Sequence, residues 1–152
     1  MYNPGEVWQM PADENKAIAR RFLQAWSAGR QGIVDELAAP DIIVSYTHFP
    51  QLFRGAEAFK ELLTQTIACF PDLQITDDEI VAEGEKVAIR WSYTGTHQHS
   101  ELFGVPPAGT RVRVSGITVY RIAQGKVLEE SGVVDVLALM QQLGAMGVQR
   151  QA

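Results

Sequence analysis

Cysteine is nearly absent from this chain of 152 residues: Cys69 stands alone. One thiol cannot close an internal disulfide, which fits a reducing compartment and excludes a disulfide-stapled scaffold. Beside Phe70 on a helical stretch, Cys69 reads as a small buried hydrophobe. Histidine is also scarce, with His48, His97 and His99 making the full set of 3. None of them forms a pair at zinc-site spacing with each other or with Cys69, so no metal is expected. No apolar run approaches the ~20 residues a membrane helix needs. The first ten residues, with Pro4, Glu6 and Gln9, hold no apolar signal core, so the expected location is cytoplasmic.

Positive charge is in short supply. Lys and Arg total 13 against 18 Asp and Glu, for a formal net charge of -5, and no segment gathers the basic residues. Phosphate backbones need a basic footprint, so nucleic acid is not an expected partner. No glycine-rich phosphate loop follows a strand and no nucleophile elbow occurs, which removes nucleotide cofactors and serine nucleophiles from consideration. Hydrophobic content of 46% and charged content of 20% are those of a globular domain. One domain of this length buries roughly 68–70% of its unfolded surface and needs no staple.

The pattern along the chain is α+β. Residues 1–12 carry Pro4, Gly5 and Pro11 and read as a flexible arm; 146–152 read as a tail, leaving a domain over 13–145. Asp13 is placed to cap a helix that carries Ile18, Phe22, Ala25 and Trp26 and stops at Gly29. A short helix with Ile33, Val34 and Leu37 ends before Pro40. After a β-rich run over Ile42–Tyr46, Phe59, Leu62, Leu63, Thr66, Ile67 and Phe70 form one helical stripe that a sheet must cover. Strands are predicted over 73–82, 86–97, 111–122 and 126–134, the first two joined by the turn Glu83-Gly84-Glu85. Leu137, Leu139, Met140 and Leu143 close the domain as a helix. Gly95, Gly116 and Gly132, in or at the ends of three strands, point to bulges or bends and so to a curled sheet.

Gly95-Thr96-His97 followed by Leu102-Phe103-Gly104-Val105-Pro106-Pro107-Ala108-Gly109 resembles the signature loop of the SnoaL-like polyketide cyclases. Tyr120-Arg121-Ile122, Gly125-Lys126-Val127, Asp135 and Gln141-Gln142-Leu143-Gly144 agree in order and spacing, as do Pro40-Asp41 and Phe53-Arg54-Gly55. The resemblance spans about residues 13–145. It implies the nuclear transport factor 2-like fold: a cone-shaped, curved antiparallel sheet packed on three N-terminal helices around an apolar central pocket. It also implies a homodimer through the outer sheet face, a hydrophobic small-molecule substrate, and ring closure by intramolecular aldol condensation without metal or cofactor. In such chemistry a desolvated carboxylate removes a proton beside a carbonyl while neighbouring groups stabilise the enolate oxygen.

This chain departs from the pattern at the site. Alignment on Gly125-Lys126 puts Gly132 where those cyclases hold their acid/base aspartate, and Glu130 where a histidine lies nearby. Thr118 replaces a second histidine and Val44 an asparagine. Asp135 lies three residues beyond the missing aspartate and reads as a helix cap.

The expected catalytic candidates are therefore Glu130, His97, His48 and Tyr46, with Trp91, Tyr93, Thr118, Tyr120 and Gly132 lining the pocket. Glu130 is either a dry general base or a wet rim residue beside Glu129. His97 is either a cavity base or a satisfied structural histidine, and His48 near Tyr46 is either an acid/base group or an exposed loop residue. The implied activity is a cyclase, isomerase or lyase type of enzyme. The alternatives are a non-catalytic binding protein for a lipophilic molecule and an association module with a vestigial pocket.

Overall fold

A computed structural model describes residues 4–146, with side chains from Pro11 onward. Helix α1 spans Pro4–Leu23, so the backbone of residues 4–12 continues the helix that the Asp13 cap was expected to start. A proline at the first helical position costs no hydrogen bond, since that N–H would have no partner in any case. Residues 1–3 of the expected arm, and its tail beyond Met146, lie outside the described residues. A single 3-10 turn over Gln24–Trp26 ends α1, and α2 covers Gly32–Leu37. Strands β1 (Ala38–Tyr46) and β2 (Phe53–Arg54) precede α3 (Ala56–Cys69). The long strands β3 (Gln74–Glu83), β4 (Lys86–Thr96), β5 (Arg111–Ala123) and β6 (Lys126–Val134) lead to α4 (Val136–Leu143).

The six strands form one curved, unclosed sheet in the order β2-β1-β6-β5-β4-β3. Its neighbours are antiparallel except β1 and β6, which run parallel, so the sheet is mixed where an antiparallel one was expected. Pro40 sits inside β1 rather than ending a helix. The sheet absorbs it with a shift of register between Ala38 and Ile43. Helix α3 lays Phe59, Leu62 and Leu63 on the sheet, where they meet Phe22, Ile89, Ile122 and Val127 in a continuous apolar core.

The strand glycines turn out to serve packing. Register shifts fall at Ala38/Ile43, Asp77/Glu79 and Arg121/Ile122, and none falls at Gly95, Gly116 or Gly132. A Cβ at Gly132 would come within 2.3 Å of the Tyr46 ring, and one at Gly116 within 2.3 Å of the Trp91 ring. Each glycine thus leaves a slot in which a cross-strand aromatic ring lies flat against the sheet.

The bend in β6 has another origin. Arg121 pairs with Glu129 but Ile122 pairs with Val127, so Leu128 is an extra residue bulged out of the ladder. A bulge reverses which face successive residues take. Val127 and Glu130, three apart, both turn inward as a result, and Glu129 turns outward.

Candidate functional site

The space between the sheet, α3 and the loop before β5 is a cavity of about 460 Å³. That is room for an organic molecule of moderate size. Its walls are mostly aromatic and aliphatic: Trp26 from the turn after α1, Tyr46 from β1, Phe70 after α3, and Trp91 and Tyr93 from β4. Ser100, Glu101, Leu102 and Phe103 cover the mouth from the loop after β4, with His48 and Phe49 beside them. Leu102 and Val105 bond to each other across a tight turn, which gives this cover its shape.

Behind the wall lies a carboxyl group with no access to solvent. Glu130 is fully buried. Its Oε1 accepts a hydrogen bond from Trp26 Nε1 at 3.2 Å. Its Oε2 and the hydroxyl of Tyr120, its cross-strand partner, are both without a hydrogen-bond partner. Burial pushes the Glu130 pKa from 4.5 up to about 7, although Trp26, Tyr120 and Tyr46 each act to hold it down. No cation contributes to the balance, so dipoles alone support the charged form. Buried carboxylates without a counter-ion titrate near neutrality for this reason.

A second set of bonds, centred on Thr118, lies behind the same wall. Thr118 Oγ1 accepts from Trp91 Nε1 at 2.9 Å and lies 3.2 Å from the Tyr46 hydroxyl. Burial raises Tyr46 and Tyr120 well above the usual phenol range, and the neighbouring Glu130 charge raises them further. Both phenols keep their protons throughout neutral pH.

The expected site residues divide into three groups. Tyr46, His48, Trp91 and Tyr93 line the cavity. Glu130, Thr118, Tyr120 and Gly132 are buried directly behind it and do not reach the open space, because the rings of Tyr46 and Trp91 lie across the sheet in front of them. His97 belongs to neither set. It is buried against Phe70, and its Nε2 is 2.7 Å from the Ser100 carbonyl, so it ties down the covering loop. Burial lowers the His48 pKa from 6.5, which leaves that imidazole neutral and able to accept a proton at pH 7. His99 is exposed in a left-handed conformation, and Asp135 caps α4 by accepting from the Ala138 amide at 3.0 Å.

Trp26 is the residue that sequence reasoning passed over, having been assigned only to a helical stripe. A signal was available: an indole that is buried needs an acceptor for its N–H, and only Glu130 among the predicted inward residues supplies a charged one. Among the described residues no three His, Cys, Asp or Glu side chains gather around a point where a metal ion would sit. No described helix is long and apolar enough to cross a membrane.

A model of the SnoaL-like polyketide cyclase family matches residues 16–143. The chain is 28% identical over 130 residues to the aklanonic acid methyl ester cyclase DnrD of Streptomyces peucetius, covering 84% of this chain and 88% of that protein. It is 27% identical over 124 residues to the nogalonic acid methyl ester cyclase of Streptomyces nogalater, covering 81% and 92%. Among solved structures, AclR, a proposed hydroxylase from Streptomyces galilaeus, superposes with a TM-score of 0.77 at 29% identity, over 89% of this chain and 87% of that one.

Proposed function

We propose a function from one premise: this chain belongs to the SnoaL-like polyketide cyclase family. The cavity holds a neutral, hydrophobic, carbonyl-bearing molecule and performs acid/base chemistry on it, of the cyclase, isomerase or lyase kind, without a cofactor. The observation that carries this reading is Glu130, a buried carboxyl group poised near pH 7 behind two cavity-wall residues, Trp26 and Tyr46. A group whose pKa matches the operating pH is the most effective proton store. His48, neutral at the mouth, is the base in contact with the ligand. Among the described residues, Glu101 is the one Asp, Glu, Lys or Arg side chain on the wall. A free carboxylate would meet no cation there, whereas an ester would enter unhindered.

Alignment on Gly125-Lys126 puts the family's acid/base position at Gly132, and the Tyr46 ring lies against that residue. On this reading the proton traffic has moved to Glu130. The same observation favours a second reading, in which the cavity binds a lipophilic molecule and leaves it unchanged. Incubation with methyl esters of polycyclic β-keto acids, followed by chromatography and mass spectrometry, separates the two. An enzyme gives an isomeric or cyclised product, lost about 10²–10⁴-fold in Glu130→Gln and in His48→Ala. Turnover unaffected by Glu130→Gln would remove Glu130 from the reading. A ligand retained intact in native mass spectra, with no turnover, would establish the carrier.

We also propose a homodimer through the outer sheet face, where Ile117, Val119 and Val133 are exposed side by side on β5 and β6. A monomer in sedimentation equilibrium at micromolar concentration would refute it.

A further inference from the structure

Along the inner wall of the cavity, most polar groups are already engaged by the protein. Trp26 Nε1 donates to Glu130 Oε1 at 3.2 Å, and Trp91 Nε1 donates to Thr118 Oγ1 at 2.9 Å. The Tyr46 hydroxyl lies 3.2 Å from Thr118 Oγ1, and Thr66 Oγ1 donates back to the Leu62 carbonyl at 2.9 Å. His48, Gln65 and Glu101 are exposed to water, and Ser100 belongs to the covering loop. Tyr93 is the exception. Its ring lines the cavity, and its hydroxyl bonds to none of the described residues. It also differs from Tyr120, whose hydroxyl is sealed in the core. Cys69, on the same wall, offers only a weak S–H donor.

The Tyr93 ring is held in place from several sides. Its backbone sits within the sheet, paired with Ile75 on β3 and Val114 on β5. The ring stacks with Trp91 at 6.0 Å and 17° and meets Phe70 at 5.8 Å. Burial, and after it the nearby Cys69, push the phenol well above its usual range, so it keeps its proton through neutral pH. A tyrosine hydroxyl shut away from water usually finds a partner. A guest that brings an acceptor satisfies this one, and a hydrocarbon leaves it unpaired.

We propose that Tyr93 is the residue that receives the carbonyl oxygen of the ligand, its hydroxyl donating the hydrogen bond that orients the guest in the cavity. The proposal rests on the reading of the ligand as a carbonyl compound and names the group that recognises it. A few polar contacts of this kind fix orientation in an otherwise apolar site. The bond strengthens as negative charge gathers on that oxygen, and a ring already fixed in place needs no rearrangement to meet it.

Two neutral probes of nearly the same shape test the assignment: 2-acetylnaphthalene, and 2-isopropenylnaphthalene, in which a methylene group replaces the carbonyl oxygen. Their dissociation constants are read from amide shifts in NMR titrations of the isotope-labelled protein, so the outcome does not depend on turnover. The parent should bind the ketone about tenfold more tightly than the alkene. Tyr93→Phe should abolish the preference by weakening the ketone and leaving the alkene as it was. The infrared carbonyl stretch of the bound ketone should lie below its value in hexane in the parent and return toward that value in Tyr93→Phe, which a change of packing alone would not produce. Should Tyr93→Phe fail to fold, Tyr93→Met takes its place, since that flexible side chain fills the same apolar space. A preference that survives loss of the hydroxyl, or a parent that binds both probes equally, overturns the role of Tyr93 and leaves the cavity reading standing. A parent that binds neither probe refutes the cavity reading, and the role of Tyr93 with it.

Discussion

Glu129 and Glu130 are adjacent on β6, carry the same side chain, and face opposite sides of the sheet. Glu129 lies on the outer face, half exposed, with Arg121 Nε at 3.2 Å from its Oε2. Glu130 lies on the inner face, fully buried, with an indole and two phenols around it and no cation. The outer residue is paired in the ordinary manner of surface charges. The inner one is held where its charge is costly and its second oxygen has no partner. A fold under pressure for stability alone would place an apolar residue or an amide there, so the contrast supports the proposal that the chemistry belongs to the inner face.

The sharpest way to break this comparison is to remove the inner charge and keep the shape. The folded-state pKa of Glu130 is about 7, raised from 4.5. Between those values the native protein holds a proton that the unfolded chain has released. Its contribution is therefore fully present below about pH 4.5, is lost as pH rises to about 7, and stays lost above. The whole loss is roughly 3 kcal/mol. Glu130→Gln does not titrate, and its amide oxygen can still accept from Trp26. The variant should gain stability relative to the parent between pH 5 and pH 8, by about 2–3 kcal/mol in denaturant unfolding. A difference between the two proteins that is the same at both pH values would show that Glu130 does not carry its proton into neutral pH.

The next effect tests the packing that shields the inner face. Ala at position 132 would put a methyl group into the Tyr46 ring, which rests within 2.3 Å of that point. The ring also packs edge-on with Trp26, 5.6 Å between centroids, which limits how it can move. Gly132→Ala should cost about 1–3 kcal/mol. Its neighbour Val133, 56% exposed on the outer face, should tolerate Ala within about 0.5 kcal/mol in the monomer. Equal costs at the two positions would mean that the Tyr46 ring yields.

Much of this arrangement could be read from residue order. The alternation of Val87, Ile89 and Trp91 placed β4 and its inward face, and the turns at Gly84 and Gly125 set the hairpins, because both signals are local. Glu130 was reached through the resemblance, by alignment on Gly125-Lys126, and the bulge at Leu128 breaks the alternation that Val127 starts. What escaped were features that depend on distant partners. Trp26 and Glu130 are 104 positions apart, and nothing near either one announces the bond. Gly116 and Gly132 looked like bend points because a glycine does not reveal which ring will lie across it. His97 shares the parity of Trp91 and Tyr93, but the bond to Ser100 draws it behind Phe70 and away from the open space. The parallel pairing of β1 with β6 joins segments that local periodicity cannot connect.

The smallest effect belongs to the outer carboxylate, and its smallness is the point. Arg121 serves two acids, Glu129 at 3.2 Å and Glu85 at 3.6 Å, and its side chain is itself 37% exposed. Removing one of them leaves the guanidinium still paired and still hydrated. Water screens the interaction, and ordering two long side chains offsets part of what remains. Glu129→Gln should therefore change stability by less than about 1 kcal/mol, and the change should shrink as salt is raised. Set against Glu130→Gln at pH 8, the same replacement one residue along the strand should differ in size. A Glu129→Gln variant that changed stability as much as Glu130→Gln does there would mean that the two faces of β6 are not electrostatically distinct, and the case for a dedicated proton store behind the cavity would fall with that distinction.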